Sequence, residues 1–226
     1  MGQGTIGFGP WAWEPDEVPR GEAVEPVPGD VIRAALQCAL NGVYEDPFAA
    51  PEGAAVMHPN GFAKIPVALV PAPGQRLFLH AWFRDAEDSH IHNHRWNFAS
   101  TVLTGTLHHT TVDVSLNGEG PGCRIALHRP VADGFTLVGV RGEGLRISGE
   151  RTQVLPAGTE YVMQARTLHR VRAESGTMTL VARGQPFRGT SEVLLDRSAE
   201  DGRQRMRAVA ADERERWLRA ALRALG

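Results

Sequence analysis

The sequence predicts a mainly-β chain: a small barrel of two facing sheets, with one helix before it and another after it. Three observations carry this. Between Gly61 and about Leu195 the chain breaks into roughly ten short β-type runs separated by turn residues, a texture of sandwiches and barrels rather than of alternating βα units. Apolar residues at helical spacing lie on either side of that region. Inside it, His90-Ile91-His92-Asn93-His94 puts histidines at alternate positions, and alternate residues of a strand share a face.

The first thirty residues are rich in Gly and Pro and read as an arm packed by Trp11 and Trp13. Asp30 is placed to cap a helix carrying Val31, Ala34, Ala35, Cys38 and Ala39, which Gly42 closes near Tyr44. Strands are then expected over Phe62–Val70, Arg76–Arg84, Phe98–Leu103, Thr106–Val114, Arg124–Arg129, Phe135–Val140, Leu145–Leu155, Glu160–Gln164, Leu168–Glu174 and Thr177–Arg183, with turns at Gly105, Gly134, Gly142, Gly144 and Gly176. The tail turns helical, with Trp217, Leu218, Ala221, Leu222 and Leu225 on one stripe that the barrel or a second subunit would cover. This divides the chain into an arm and helix (1–60), a barrel (61–197) and a C-terminal helix (198–226).

The bulk composition narrows the class. A net charge of -2 over 226 residues offers no field for nucleic acid or an acidic membrane, and the late arginines alternate with acids as on a solvated helix face. Cys38 and Cys123 form no disulfide framework, which fits a reducing cytoplasm, and no run reaches the roughly 20 apolar residues of a membrane span. Edge strands and the C-terminal stripe make a homodimer the expected assembly.

The alternating histidines are the strongest chemical signal. At roughly 3.3 Å per residue, positions four apart are about 13 Å apart and cannot share an ion, whereas positions two apart can converge, so at most one neighbouring pair supplies ligands. His108 and His109 point to opposite faces, so one at most reaches the interior, where it could support a ligand or touch substrate. Asn93 and Arg95 should point away from the metal. Lys64 is the only lysine among 24 basic residues.

Leu168-His169-Arg170-Val171 follows Pro156-Ala157-Gly158, and with the histidine run and Gly105 the chain resembles the cupin superfamily. The segments Ser89-His90-Ile91-His92-Asn93-His94 and Leu168 to Val171 are most similar to the thiol dioxygenase branch, the cysteine dioxygenase-like enzymes. That resemblance covers roughly residues 60 to 187. It implies a double-stranded β-helix, or jelly roll, and iron(II) held by His92, His94 and His169, with His90 left outside the ligand set.

It also implies a role for the lone lysine. The family's arginine that grips the substrate carboxylate has its counterpart at Lys64, and the family's Ser-His-Tyr set falls on Thr179, Val181 and Arg183, without the histidine or the tyrosine. The glutamate that most cupins add to the metal falls at Phe98 or Ala99, and neither can coordinate. Three neutral imidazoles leave a divalent ion with its full charge, which favours anionic donors at its open positions. Imidazole sites also accept zinc, nickel, manganese and copper.

The implied function is a non-haem iron(II) dioxygenase of a small anionic metabolite, with a thiol amino acid such as cysteine as the first candidate and an altered product allowed by the altered support residues. Dioxygen would be the co-substrate, and Lys64 and Arg183 would neutralise a carboxylate. A metal-dependent isomerase, epimerase or lyase, and a non-catalytic metal-binding protein of the same fold, are the alternatives.

Overall fold

Helix α1 spans Gly29–Asn41 and helix α2 spans Ala211–Ala224 in the computed structural model, which describes residues 23–44, 53–70, 75–88, 90–116, 118–132, 134–196 and 204–226. The expected arm with Trp11 and Trp13 lies outside these residues. Asp30 is not the cap of α1. Pro28 precedes the helix and Asp30 sits in its first turn, where a carboxylate still favours the exposed N–H groups. Gly42 closes the helix in the left-handed conformation at φ 67°, its N–H donating to Cys38 O at 2.8 Å, so α1 stops at Asn41 rather than near Tyr44.

The buried face of α1 is Ile32, Leu36 and Ala39, whereas Val31, expected in the stripe, is 40% exposed. Both sets follow helical spacing, and the set with the larger side chains turns inward because burial stabilises in proportion to apolar area. This face packs on α2, whose Leu218 and Ala221 are buried with Trp217, Leu222 and Leu225 against them. The expected C-terminal stripe is thus covered within the chain. Arg33 adds hydrogen bonds to the carbonyls of Leu225 and Gly226.

The strands are β1 (Val56–Met57), β2 (Ala63–Val70), β3 (Gln75–Ala81), β4 (Ala86–Glu87), β5 (Ile91–His92), β6 (Phe98–Thr104), β7 (Thr106–Ser115), β8 (Gly122–Val131), β9 (Gly134–Pro156), β10 (Glu160–Met163), β11 (His169–Ala173), β12 (Met178–Arg183), β13 (Ser191–Asp196), β14 (Gln204–Arg205) and β15 (Arg207–Ala208). They form two antiparallel sheets. One runs β10-β6-β12-β3-β2-β1-β15; the other runs β14-β9-β7-β11-β5-β13-β8, with β4 beside β11. The architecture is the one predicted: a mainly-β two-sheet barrel of jelly-roll type with a helix at each end.

Two of the longer elements differ: β13, which pairs with β5 and β8, has no counterpart among the expected strands, and β9 differs in kind. The two strands expected over Phe135–Val140 and Leu145–Leu155 are a single bent strand, β9. Its first part pairs with β8 and its second with β7, so β9 closes the second sheet on itself. Gly142 and Gly144 take φ values of 76° and 87° and bend the strand rather than end it, the usual use of glycine at a bulge.

The first sheet is covered on both faces, and this prepares the site. Ile65, Val67, Leu77, Leu79, Leu180 and Ala182 point to the helices and form the main core. The alternate residues of the same strands, Lys64, Phe78, His80, Thr179, Val181 and Arg183, point the other way and line a cavity of about 150 Å³ between the sheets. No described helix is long and apolar enough to cross a membrane, and of the described cysteines Cys38 is half-buried and Cys123 is buried.

Candidate metal centre

The second sheet supplies the histidines. Strand β5 is only two residues long and lies between β11 and β13, so His92 faces His169 directly across one ladder and Val193 across the other. The ladder ends at His92, and His94 is carried by the segment that follows. Asn93 donates its N–H to Glu192 O at 2.9 Å, and His94 donates its own to Ala165 O at 2.9 Å.

The three rings meet, with centroids 5.1 Å apart for His92 and His94, 4.7 Å for His92 and His169, and 5.0 Å for His94 and His169. One ring nitrogen from each lies within 4.8 Å of the others, a grouping that could hold a metal ion. His90 is not part of it. It lines the cavity, and its carbonyl lies 3.1 Å from His92 Nδ1.

The outer ring nitrogens are already engaged, which tests whether a metal fits. With Nδ1–H of His92 donated to His90 O, and Nδ1 of His169 bonded to His109 Nε2 at 3.0 Å, the Nε2 atoms of both rings are left for a ligand. Nε2 of His94 and Nε2 of His169 lie 2.9 Å apart. Burial first, then His92 nearby, holds His94 and His169 well below the usual imidazole range, so both stay neutral at pH 7. A neutral, oriented imidazole is the form that binds a metal. The residues fit a divalent transition metal held by three nitrogens.

The inward member of the His108–His109 pair is His109, 3% exposed. Burial, with His92 adding to it, pushes its imidazole down to about 4, so it offers one donor and one acceptor. Behind the ligand segment, Asn93 is buried and spends its side chain on Glu192: Nδ2 donates to Oε2 at 2.6 Å, and Oδ1 accepts the Glu192 N–H at 2.8 Å. Glu192 also receives Arg141, and Arg188 at 2.9 Å. Asn93 also borders the cavity, but its side-chain amide is turned to Glu192, in keeping with the expectation for its side chain.

Arg95 does not follow the same expectation. It lines the cavity with its guanidinium over the Trp96 ring, 5.0 Å from the centroid. Strand alternation cannot be extended to it, because the ladder has ended three residues earlier.

Lys64 and Arg183 both reach the cavity. Lys64 Nζ lies 4.4 Å from the Phe78 centroid, and the Arg183 guanidinium is 5.6 Å from the same ring and 4.4 Å from Trp96. Neither forms an ion pair or a side-chain hydrogen bond among the described residues. Burial, then the charges of Arg183, Arg95 and Arg76, lowers the Lys64 ammonium to about 8, and burial with Arg76 and Arg95 lowers Arg183 to about 10.

Thr179 and Val181 line the same cavity, together with His80 and Tyr161 from other strands of the sheet. His80 sits opposite Thr179 on β3, and Tyr161 comes from β10, opposite Ser100 of β6. Burial pushes the Tyr161 phenol up to about 12 and the His80 imidazole down to about 3, the latter aided by Lys64. Both are therefore neutral at pH 7. The sequence assigned neither a role, and the only signal was their parity on predicted strands. Phe98 fills the cavity wall near His94, ring centroids 5.0 Å apart, while Ala99 is buried on the helix side.

No protein-family model matches the chain, and no curated protein sequence is similar to it. Similar solved structures include three at low identity. Oxalate decarboxylase from Lactobacillus farciminis in a formate complex has 15% identity and a TM-score of 0.37 over 59% of this chain and 31% of that one. An RmlC-like cupin from Shewanella frigidimarina has 14% identity and a TM-score of 0.34 over 62% and 93%. Hydroxypropylphosphonic acid epoxidase from S. wedmorenis has 14% identity and a TM-score of 0.36 over 64% and 60%. This chain thus spans about a third of the decarboxylase and less than two thirds of the epoxidase.

Proposed function

We propose that this protein is a metal-dependent enzyme acting on a small anion, and specifically a non-haem iron(II) dioxygenase. One observation carries the reading: a three-imidazole cluster with no carboxylate among its ligands opens onto the same cavity as a half-buried ammonium, Lys64, that has no anionic partner among the described residues. A partly buried, unpaired charge is costly, and a bound anion removes that cost.

When bound, iron(II) would supply the capacity to bring dioxygen and an anionic donor together at open positions. The chain's own residues do the rest. His92, His94 and His169 hold the ion, His109 and the His90 carbonyl fix which nitrogens face it, and Lys64 and Arg183 orient the acidic group of the substrate. The aromatic wall of Phe62, Phe78, Trp82 and Phe98 limits water in the cavity, and Tyr161 offers a phenolic proton as a hydrogen-bond donor. A thiol amino acid such as cysteine is the first substrate to try, because a thiolate suits a metal without anionic protein ligands.

The test is anaerobic reconstitution with iron(II), followed by a panel of thiol acids and keto acids while dioxygen is monitored. Uptake that requires both iron and substrate supports the dioxygenase. Substrate turnover without uptake replaces it with Lewis-acid isomerase or lyase chemistry.

A further inference from the structure

Three cations, Lys64, Arg95 and Arg183, line the cavity. They are arranged on two rings. Trp96 carries both guanidiniums, at 5.0 Å and 4.4 Å, and Phe78 carries Lys64 Nζ and the Arg183 guanidinium, at 4.4 Å and 5.6 Å. Aromatic faces soften the cost of a cation but do not neutralise it. Among the described residues none of the three has a carboxylate partner. Asp88, the one carboxylate among the described residues lining the cavity, is committed elsewhere: its Oδ2 accepts the Val171 N–H at 2.9 Å and lies 3.9 Å from His92 Nδ1.

Like charges crowded into one cavity repel one another, and a single carboxylate, such as that of cysteine, would compensate only one of them, so a substrate matched to the site carries more negative charge than cysteine, which serves as the simplest thiol probe. We infer that the substrate of this cavity carries a doubly charged oxyanion, of the phosphate or phosphonate kind, held jointly by Lys64, Arg95 and Arg183. Arginine suits this group because its fork meets two oxygens at once, and lysine adds a point charge to a third. With roughly 10–15 Å³ of such space per small group, the cavity holds on the order of ten non-hydrogen atoms, enough for an apolar body of a few carbons and the oxyanion. The inference rests on reading this cavity as the substrate site.

Phenyl phosphate and phenyl sulfate test it, since they share a shape and differ by one charge near neutral pH. Binding of each to the metal-loaded protein is measured by calorimetry, in the wild type and in Lys64→Gln and Arg183→Gln. The expected result is phenyl phosphate bound at least about tenfold more tightly than phenyl sulfate by the wild type, with the ratio falling below about threefold in each variant. Two variants are used so that a folding defect in one leaves the other decisive. Equal binding of the two probes, or a preference that survives both substitutions, overturns the inference and leaves an anion-binding cavity standing. Failure of the wild type to bind either probe overturns both.

Discussion

His109 Nε2 lies 3.0 Å from His169 Nδ1, so a histidine on β7 fixes the orientation of a ring on the neighbouring β11. The bond engages Nδ1 of His169 and leaves Nε2 as the nitrogen that could hold a metal. His109→Ala should leave the fold intact and weaken metal affinity about 10- to 100-fold, and His109→Gln should restore part of the loss. Competition with a chelator reads the effect directly.

Asn93 should matter for a different reason. Its side chain joins the ligand segment to Glu192, and Asn93→Ala leaves a buried carboxylate short of a donor. The expected cost is about 1–3 kcal/mol in denaturant unfolding, together with weaker metal binding, because His92 and His94 flank the loosened residue. Unchanged metal affinity at the lower stability would reduce Asn93 to a purely structural role.

Lys64 gives a pH signature of defined sign. Its ammonium titrates near 8 in the folded protein against 10.5 when unperturbed. Between those values the unfolded chain binds the proton that the folded chain has lost, so Lys64 makes the metal-free protein more stable as pH rises through that window. Below about 8 the full penalty of the buried charge is present. Lys64→Met removes it, and the variant should exceed the wild type by about 1–3 kcal/mol near neutrality, the gap closing toward pH 10.5. Anion affinity should run the opposite way, falling above about pH 8 in the wild type as the ammonium is lost.

Two residues on different faces of α1 test the corrected helix face. Leu36 is fully buried and Val31 is 40% exposed. Leu36→Ala should cost about 2–5 kcal/mol and Val31→Ala less than about 0.5 kcal/mol. Thermal or denaturant unfolding of the two variants separates them.

What the sequence made legible follows from the range of each physical signal. Strand texture and positive-φ glycines depend on neighbours in the chain, so the barrel, its turns and most strand limits could be read directly. The single β9 could not, because Gly142 and Gly144 serve a bend as well as a turn and only pairing with both β7 and β8 decides between them. Alternation put His92 and His94 on a common side, and the family resemblance added His169. The same rule misplaced Arg95, since alternation holds only while the ladder lasts. Tyr161 and His80 were missed because they enter the cavity from strands β10 and β3, adjacency that no local pattern encodes. On α1 two apolar stripes competed, and the heavier one took the core.

The central claim is that three imidazoles, and not the fourth in the run, hold the metal. It is tested most directly by elemental analysis after anaerobic loading with iron(II) and removal of the excess, on the wild type and on His90→Ala, His92→Ala, His94→Ala and His169→Ala. The wild type and His90→Ala should each retain a single ion per chain, and the other three close to none. A His169→Ala protein that keeps its ion, or a folded wild type that keeps none, would contradict the account.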